Sequence, residues 1–573
     1  MRPDTPGTPD PGTPDPGTPD PGGPAAAAGH VIAPPATGTR VDLIGGLLAR
    51  AASDAVMVRV LSPTGGPATE WSYRDLIGAA GALAGSLTGR AAAPGRPVRV
   101  GLVAANSPEW VTADLATLFA RAVQVPVPTA FSAAQAASLL EGADVCLVDA
   151  QGAARLEDWA RESGAPVLPG GCEVVRVDAA ALAGRADGAL PPAPGPDAGD
   201  AVVKVIHTSG TTSAPKGVRI RLHGIESLIT SLIGHVDRTA FARYLSVVPL
   251  SLLIEQVAGL YMPFLAGGSV TFLPPGAALV GTAADAAGPR LRALLRQAGP
   301  TAMVVPPTIA GLLLALCEER PEETVAERHR RIFGHDGPVF IACGGAPVPV
   351  EVLRRLDGYG ITLYEGYGLS ENSSVVSWNF PGQTRFGTAG RPLAHVHAEL
   401  AEDGELLIRS DSLFAGYTRE DPSSVVVDER GLLHTGDLAV IDEDGYIRIT
   451  GRKKNVVITA GGRNLSPEWI EAQYRELGFV REAAVVADGL DAVHGLFVVD
   501  ADVDHEEARA RIEAFGRERL SGIERASVVR LMAADDPDYT VCFTVTGRPR
   551  RDVVRARLTG ADGTARALEG ALA

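Results

Sequence analysis

The sequence predicts an α/β protein. A large N-terminal domain of mixed, mostly parallel sheets, with a small β-barrel-like subdomain, precedes a small α+β domain at the C-terminus. Three observations lead there. From about Val41, short apolar runs alternate with amphipathic segments, the pattern of strands joined by crossover helices. After Gly390 the runs shorten and are separated by turns, with Asp444–Gly445 as a hairpin signal. Beyond Gly451 strand and helix patterns alternate once more.

In chain order, Thr8–Gly22 holds three copies of T-P-D-P-G. Pro and Gly without apolar residues cannot build a core, so residues 1–40 are expected to form a disordered tail. Pro97–Ala104 reads as a buried strand, Asp114–Ala122 as a helix, and Val123–Val127 and Val145–Asp149 as further strands. Val202–His207 and Leu245–Val248 continue the series, and the Pro/Ala/Gly-rich Leu190–Asp200 reads as a surface connection. Glu405–Arg409, Leu438–Asp442 and Tyr446–Thr450 are the short strands of the appended sheet. Ala483–Ala487, Leu496–Asp500 and Val528–Met532 are strands of the last unit, with a charged helix over His505–Leu520. The expected domains are 41–451 and 452–573, the latter ordered to about 560.

Composition narrows the function. A formal charge of −16 argues against nucleic-acid binding by phosphate neutralisation and against an anionic membrane surface. Five scattered cysteines without a C-x-x-C pair indicate neither a disulfide framework nor a zinc site. The apolar stretches Leu245–Leu265 and Thr301–Cys317 are interrupted by Glu255–Gln256 and Pro306–Pro307, so no membrane span is expected. The start of the chain does not resemble a signal peptide, and a soluble cytoplasmic protein is the expectation.

Three segments carry chemistry. Thr208–Gly217, T-S-G-T-T-S-A-P-K-G, follows a predicted strand. Gly210 permits close backbone approach, the hydroxyls of Thr208, Ser209, Thr211 and Thr212 can donate to phosphate oxygens, and Lys216 adds a charge. Its spacing is not that of a Walker A loop. In Tyr364–Asn372, Y-E-G-Y-G-L-S-E-N, Tyr367 lies between Gly366 and Gly368 and can offer its ring to a flat base. Ser370 can donate to phosphate, and Glu371 suits a Mg²⁺ site completed by phosphates and water. Asp437, in a T-G-D turn, can accept from ribose hydroxyls, with Arg452 near it in the G-R-K-K run. The patterns G-x-S-x-G, H-E-x-x-H and a strand-bound G-x-G-x-x-G are lacking.

In this order the three segments resemble the ANL superfamily of adenylate-forming enzymes: acyl-CoA synthetases, peptide-synthetase adenylation domains and luciferases. W-S-Y-R-D-L at Trp71–Leu76, G-G-A-P at Gly344–Pro347 and the run Gly451–Glu471 add to the match, which extends from about Val41 to Leu558. The resemblance implies ATP and Mg²⁺ as cofactors. Thr208–Gly217 would hold the β- and γ-phosphates, and Tyr367 with Gly344, Gly345, Ala346 and Pro347 the adenine. Ser370 would meet the α-phosphate, Glu371 the metal and Asp437 the ribose, while Lys454 would be the hinge of a mobile C-terminal domain. Three positions depart from the family. Ser213 stands for a glycine; Leu252, in P-L-S-L-L-I-E, replaces a histidine or aromatic and makes the acyl wall more apolar; and Arg548 occupies the place of the adenylation lysine. His207, beside the phosphate loop, joins Leu252 and Gly366 as a substrate-pocket candidate.

The resemblance, closest to long-chain-type acyl-CoA ligases, implies a ligase for an aryl or fatty carboxylic acid. It would form an acyl-AMP, release pyrophosphate and pass the acyl group to CoA or a carrier-protein thiol. The alternatives are an ATP-dependent diazotase that activates nitrite for an aryl amine, and a non-catalytic nucleotide-binding protein.

Overall fold

The computed structural model describes residues 40–66, 68–90, 95–184, 200–208, 216–274, 277, 284–419, 426–455, 457–458, 464–488, 490–543 and 549–559. The expected tail, apart from Arg40, lies outside them. The N-terminal domain holds two sheets whose central strands are parallel. One has six strands in the order Glu173–Arg176, Val145–Val148, Arg99–Val103, Val123–Pro126, Val202–Thr208 and Lys216–Arg221, with only the last pair antiparallel. The other has nine, and its parallel centre includes Arg243–Ser246, Ala302–Val305, Phe340–Cys343 and Leu363–Tyr367. Strands such as Val145–Val148 are buried at every position, as parallel strands covered on both faces must be.

Helix starts follow local chemistry. The W-S-Y-R-D-L motif contains a capping box in which the Ser72 hydroxyl accepts from the Asp75 amide and the Asp75 carboxylate accepts from the Ser72 amide, opening helix Tyr73–Leu87. The helix expected at Asp114–Ala122 instead runs from Pro108 to Phe119, with Ser107 as its cap and Pro108 at its first position. It carries a buried polar cluster. Lys204 Nζ meets Asp114 Oδ1 at 2.5 Å and Gln124 Oε1 at 2.6 Å, and the Tyr261 hydroxyl donates to Asp114 Oδ2 at 2.9 Å. The cluster joins the six-stranded sheet to the helical stretch that precedes Ser269–Phe272 of the nine-stranded one. A buried charge pair is tolerable when its remaining lone pairs and protons are satisfied in this way.

The appended β region is a four-stranded antiparallel sheet, Val396–Leu400, Glu405–Ser410, Leu433–Ile441 and Ile447–Arg452. Its last hairpin turns at Gly445, with φ at 85°, as the Asp-Gly pair predicts. The C-terminal domain is a three-stranded sheet of Val480–Val486, Val493–Val499 and Ala526–Ala533 with helices on both faces. Alternation divides its core in two. Ala483, Val485, Phe497 and Val499 join one cluster, and Ala484, Val486, Leu496 and Val498 the other. Among the described residues no helix is long and apolar enough to cross a membrane.

Candidate functional site

The first segment begins where the strand Val202–Thr208 ends and the second leaves the end of the parallel strand Leu363–Tyr367, the edge at which open α/β sheets bind ligands, whereas Asp437 lies not in a turn but within the antiparallel strand Leu433–Ile441. Val202–Thr208 and Lys216–Arg221 form an antiparallel pair with Thr208 opposite Lys216. Thr208 and Lys216 are thus placed by backbone register, while Ser209, Gly210, Thr211 and Thr212 between them lie outside the described residues. Phe340–Cys343 leads into Gly344–Pro347, where Gly345, Ala346 and Pro347 are exposed and Gly345 has a φ of 88°. Beneath this turn Glu365 Oε1 accepts from the Val348 amide at 2.9 Å, and burial pushes its carboxyl up to about 7.

Leu363–Tyr367 carries the second segment. Gly366 packs so closely that a Cβ would sit 3.1 Å from Trp378 Cγ, and at Gly368 a Cβ would overlap the Ser374 carbonyl at 1.5 Å. Both glycines therefore serve backbone approach, whatever else they line. Ser370 and Glu371 sit in a 3₁₀ turn, Ser370–Asn372, followed by Ser373 and Ser374 with φ of 51° and 109°. Two successive non-glycine residues with positive φ store strain that the surroundings must over-determine. Here the Ser373 hydroxyl donates to the Ser412 carbonyl at 2.7 Å, and the Ser412 hydroxyl to the Gly224 carbonyl at 2.8 Å. Glu371 is buried, and its Oε1 accepts from the Tyr417 hydroxyl at 2.7 Å. No ion pair reaches it among the described residues. A buried carboxylate can serve as the one protein ligand of a divalent cation whose other ligands are phosphates and water.

In the third segment Asp437, the residue expected to accept from ribose hydroxyls, has two protein partners: the Tyr367 hydroxyl donates to Oδ2 at 2.6 Å and Arg452 Nε lies 2.8 Å from Oδ1. The antiparallel register places Asp437 opposite Arg452, as their proposed partnership requires. Burial raises the Asp437 carboxyl above its ordinary value, an effect that Arg452 and Tyr367 offset in part. Two oxygens present about four lone-pair sites, so further donors can be accepted beside these two.

The remaining candidates are dispersed. Burial, assisted by the charge of Arg99, holds the His207 imidazole down to about 3, and its buried Nδ1 has no hydrogen bond among the described residues. Leu252 is 44% exposed at the start of Leu253–Gln256, a helix that continues through a π turn, Val257–Tyr261. Asn106 fixes the approach to it, donating to Val248 O at 2.7 Å and accepting from Leu250 N at 2.9 Å. Lys454 is exposed in the turn Lys453–Asn455, whereas Lys453 pairs with Asp403 at 2.6 Å and Glu405 at 2.9 Å. Glu405 also accepts from the amide of Gly436, next to Asp437. Arg548 lies outside the described residues, between Phe543 and Pro549, which form a β-bridge. Sequence reasoning missed Tyr417, Glu405 and Lys453. The G-Y pair after Phe414 is a signal for the first; nothing local marks the others.

A family model described as "AMP-binding enzyme" matches residues 48–418. The chain is similar to the long-chain-fatty-acid–CoA ligase FadD15 of Mycobacterium bovis, with 36% identity over 192 residues, 34% of this chain and 32% of that protein. It thus spans about a third of that relative's length. It is also similar to a Mycobacterium tuberculosis 3-[(3aS,4S,7aS)-7a-methyl-1,5-dioxo-octahydro-1H-inden-4-yl]propanoyl:CoA ligase, at 30% identity over 460 residues, 76% of this chain and 85% of that one. Among solved structures, the anthranilate CoA ligase AuaEII in complex with anthranoyl-AMP superimposes with a TM-score of 0.73 at 19% identity, covering 91% of this chain and 98% of that one. That likeness speaks to the fold. None of these proteins is described as acting on nitrite.

Proposed function

Because the chain belongs to the AMP-binding enzyme family of the ANL superfamily, we propose that it is an adenylate-forming acid–CoA ligase. It joins an aryl or fatty carboxylate to the α-phosphate of ATP, releases pyrophosphate, and passes the acyl group from acyl-AMP to the CoA thiol. The observation that carries this reading is the meeting of Tyr367, Asp437 and Arg452, which come from two different sheets. Ribose held by Asp437 and adenine lying between Tyr367 and Gly344–Pro347 would direct the triphosphate toward Ser370 and the Thr208–Lys216 loop. Glu371 would hold Mg²⁺, whose charge offsets the repulsion between the carboxylate and the phosphates. Arg548 would supply the cation that relatives take from a lysine. With two anions to be brought together, catalysis is mainly positioning and charge neutralisation. The CoA-ligase descriptions of both sequence relatives support the thiol step.

The test is release of AMP and pyrophosphate from Mg²⁺–ATP across aryl and fatty acids, with and without CoA, and with nitrite in parallel. Turnover that requires an acid and yields an acyl-CoA supports the reading. Turnover that requires nitrite, or none with any acid, removes it.

A further inference from the structure

The phosphate loop and the metal carboxylate belong to different sheets. Thr208–Gly217 joins strands of the six-stranded sheet, and Glu371 follows a strand of the nine-stranded one. Their separation must be held by something that touches both, and the stretch Ser412–Thr418 does so. On one side it pairs with the loop's exit strand. Ala415 N donates to Arg219 O at 2.7 Å, Arg219 N to Gly416 O at 3.0 Å, and Thr418 N to Gly217 O at 2.8 Å, with Val218 opposite Tyr417. A ladder of this kind fixes register, because a slip of one residue breaks every bond in it. On the other side Phe414 N donates to Glu371 O at 2.9 Å and the Tyr417 hydroxyl to Glu371 Oε1 at 2.7 Å. The Phe414 ring lies edge-on to the Tyr417 ring with centroids 4.9 Å apart, which restrains its swing.

We propose that Tyr417 is a positioning residue: its hydroxyl holds the Glu371 carboxylate at a fixed place relative to the phosphate loop, so that the metal–nucleotide complex finds its protein ligand already oriented. This rests on the assignment of Glu371 to the metal under the proposed function. A hydrogen bond to a charged group is strong enough to change an equilibrium about tenfold or more when removed.

The experiment is Tyr417→Phe in the full-length chain, with Mn²⁺ as the probe. Mn²⁺ binding to the protein–ATP complex is followed by electron paramagnetic resonance, AMP binding without metal by calorimetry, and the melting temperature on the same samples. The expected result is about tenfold weaker Mn²⁺ binding, with metal-free AMP affinity held within about twofold. In a Glu371→Gln background the same substitution is expected to have little further effect on Mn²⁺, the signature of two residues acting through one contact. Unchanged Mn²⁺ affinity overturns the proposal. So does a loss of Mn²⁺ and AMP binding in equal measure, which marks a structural role, or an undiminished effect in the Glu371→Gln background. No acid or thiol enters these measurements. Failure of the ligase reading therefore shows in the turnover assay, and failure of the positioning role shows here.

Discussion

Asp437 holds two partners, and their chemistry says what it does for a ligand. Arg452 and the Tyr367 hydroxyl both stabilise its charged form while burial opposes it, and they fix the direction in which its remaining lone pairs point. An oriented carboxylate discriminates hydroxyl-bearing sugars because an unpaired buried acceptor is costly. Asp437→Asn keeps the shape and removes the charge. It is expected to weaken AMP binding by about tenfold or more, the worth of a charge-assisted bond. The wild-type protein is expected to prefer AMP over its 2′,3′-dideoxy analogue, and the variant is expected to lose that preference. Calorimetry with both nucleotides checks this; a variant that still discriminates between them would show that Asp437 does not meet the ribose.

The helix of Leu253–Gln256 and its π-turn continuation show how an element can store a titration. Glu255 is wholly buried there, accepts from the Tyr244 hydroxyl at 2.8 Å, and folds over Gly259, where a Cβ would come within 3.0 Å of its Oε1. No cation pairs with it among the described residues, and burial pushes its carboxyl from 4.5 to about 8. The unfolded chain therefore releases this proton near pH 4.5 and the folded protein near pH 8. The stability the group contributes is complete below the first value and is lost as pH rises toward the second, at about 1.4 kcal/mol per pH unit. Glu255→Gln should remove that slope. Urea titrations at pH 5, 6, 7 and 8 should show the difference between wild type and variant changing steadily with pH; a constant difference would mean that Glu255 is ionised when folded. Such elements also explain what the sequence discloses and what it hides. Val145–Val148 was legible because a strand covered on both faces is an uninterrupted apolar run, and Val123–Pro126 departs from one only at Gln124. Pro108–Phe119 was legible only in part: Ser107 and Pro108 mark its start, but Thr112, Asp114 and Thr117 are all buried on it and no polar stripe marks an outward face. Thr112 and Thr117 bond to carbonyls of their own helix, and Asp114 is met by Lys204 and Tyr261. The Thr208–Gly217 segment, the Y-E-G-Y-G-L-S-E segment and Asp437 stand out in the sequence because each concentrates its candidate chemistry within a few residues. Tyr417 acts on Glu371 across 46 positions of chain, a relation that only the fold creates.

At the scale of the whole molecule, the distribution of lysine becomes informative. Of 52 cationic side chains only four are lysines: Lys204, Lys216, Lys453 and Lys454. Lys204 is wholly buried in the cluster with Asp114, the backbone of Lys216 lies in a strand paired with Thr208, and Lys453 is held by Asp403 and Glu405. Lys453 and Lys454 are both exposed in a short turn between two domains whose cores are separate, and among the described residues only Lys453 of the two is held in ion pairs. Proteases enter where backbone is exposed and little is buried, so a lysine-specific protease should cut the native protein first after Lys454. Mass spectrometry should find residues 1–454 and 455–573 as the first products. The C-terminal piece keeps both faces of its sheet covered and should unfold in a transition of its own. The larger piece retains Tyr367, Asp437 and Arg452 and should still bind AMP, yet it should release no pyrophosphate, because Arg548 departs with the other fragment. A first cut elsewhere would place the flexible point outside Lys453–Asn455. Loss of AMP binding on cutting would mean that the small domain completes the nucleotide site rather than serving only the chemical step.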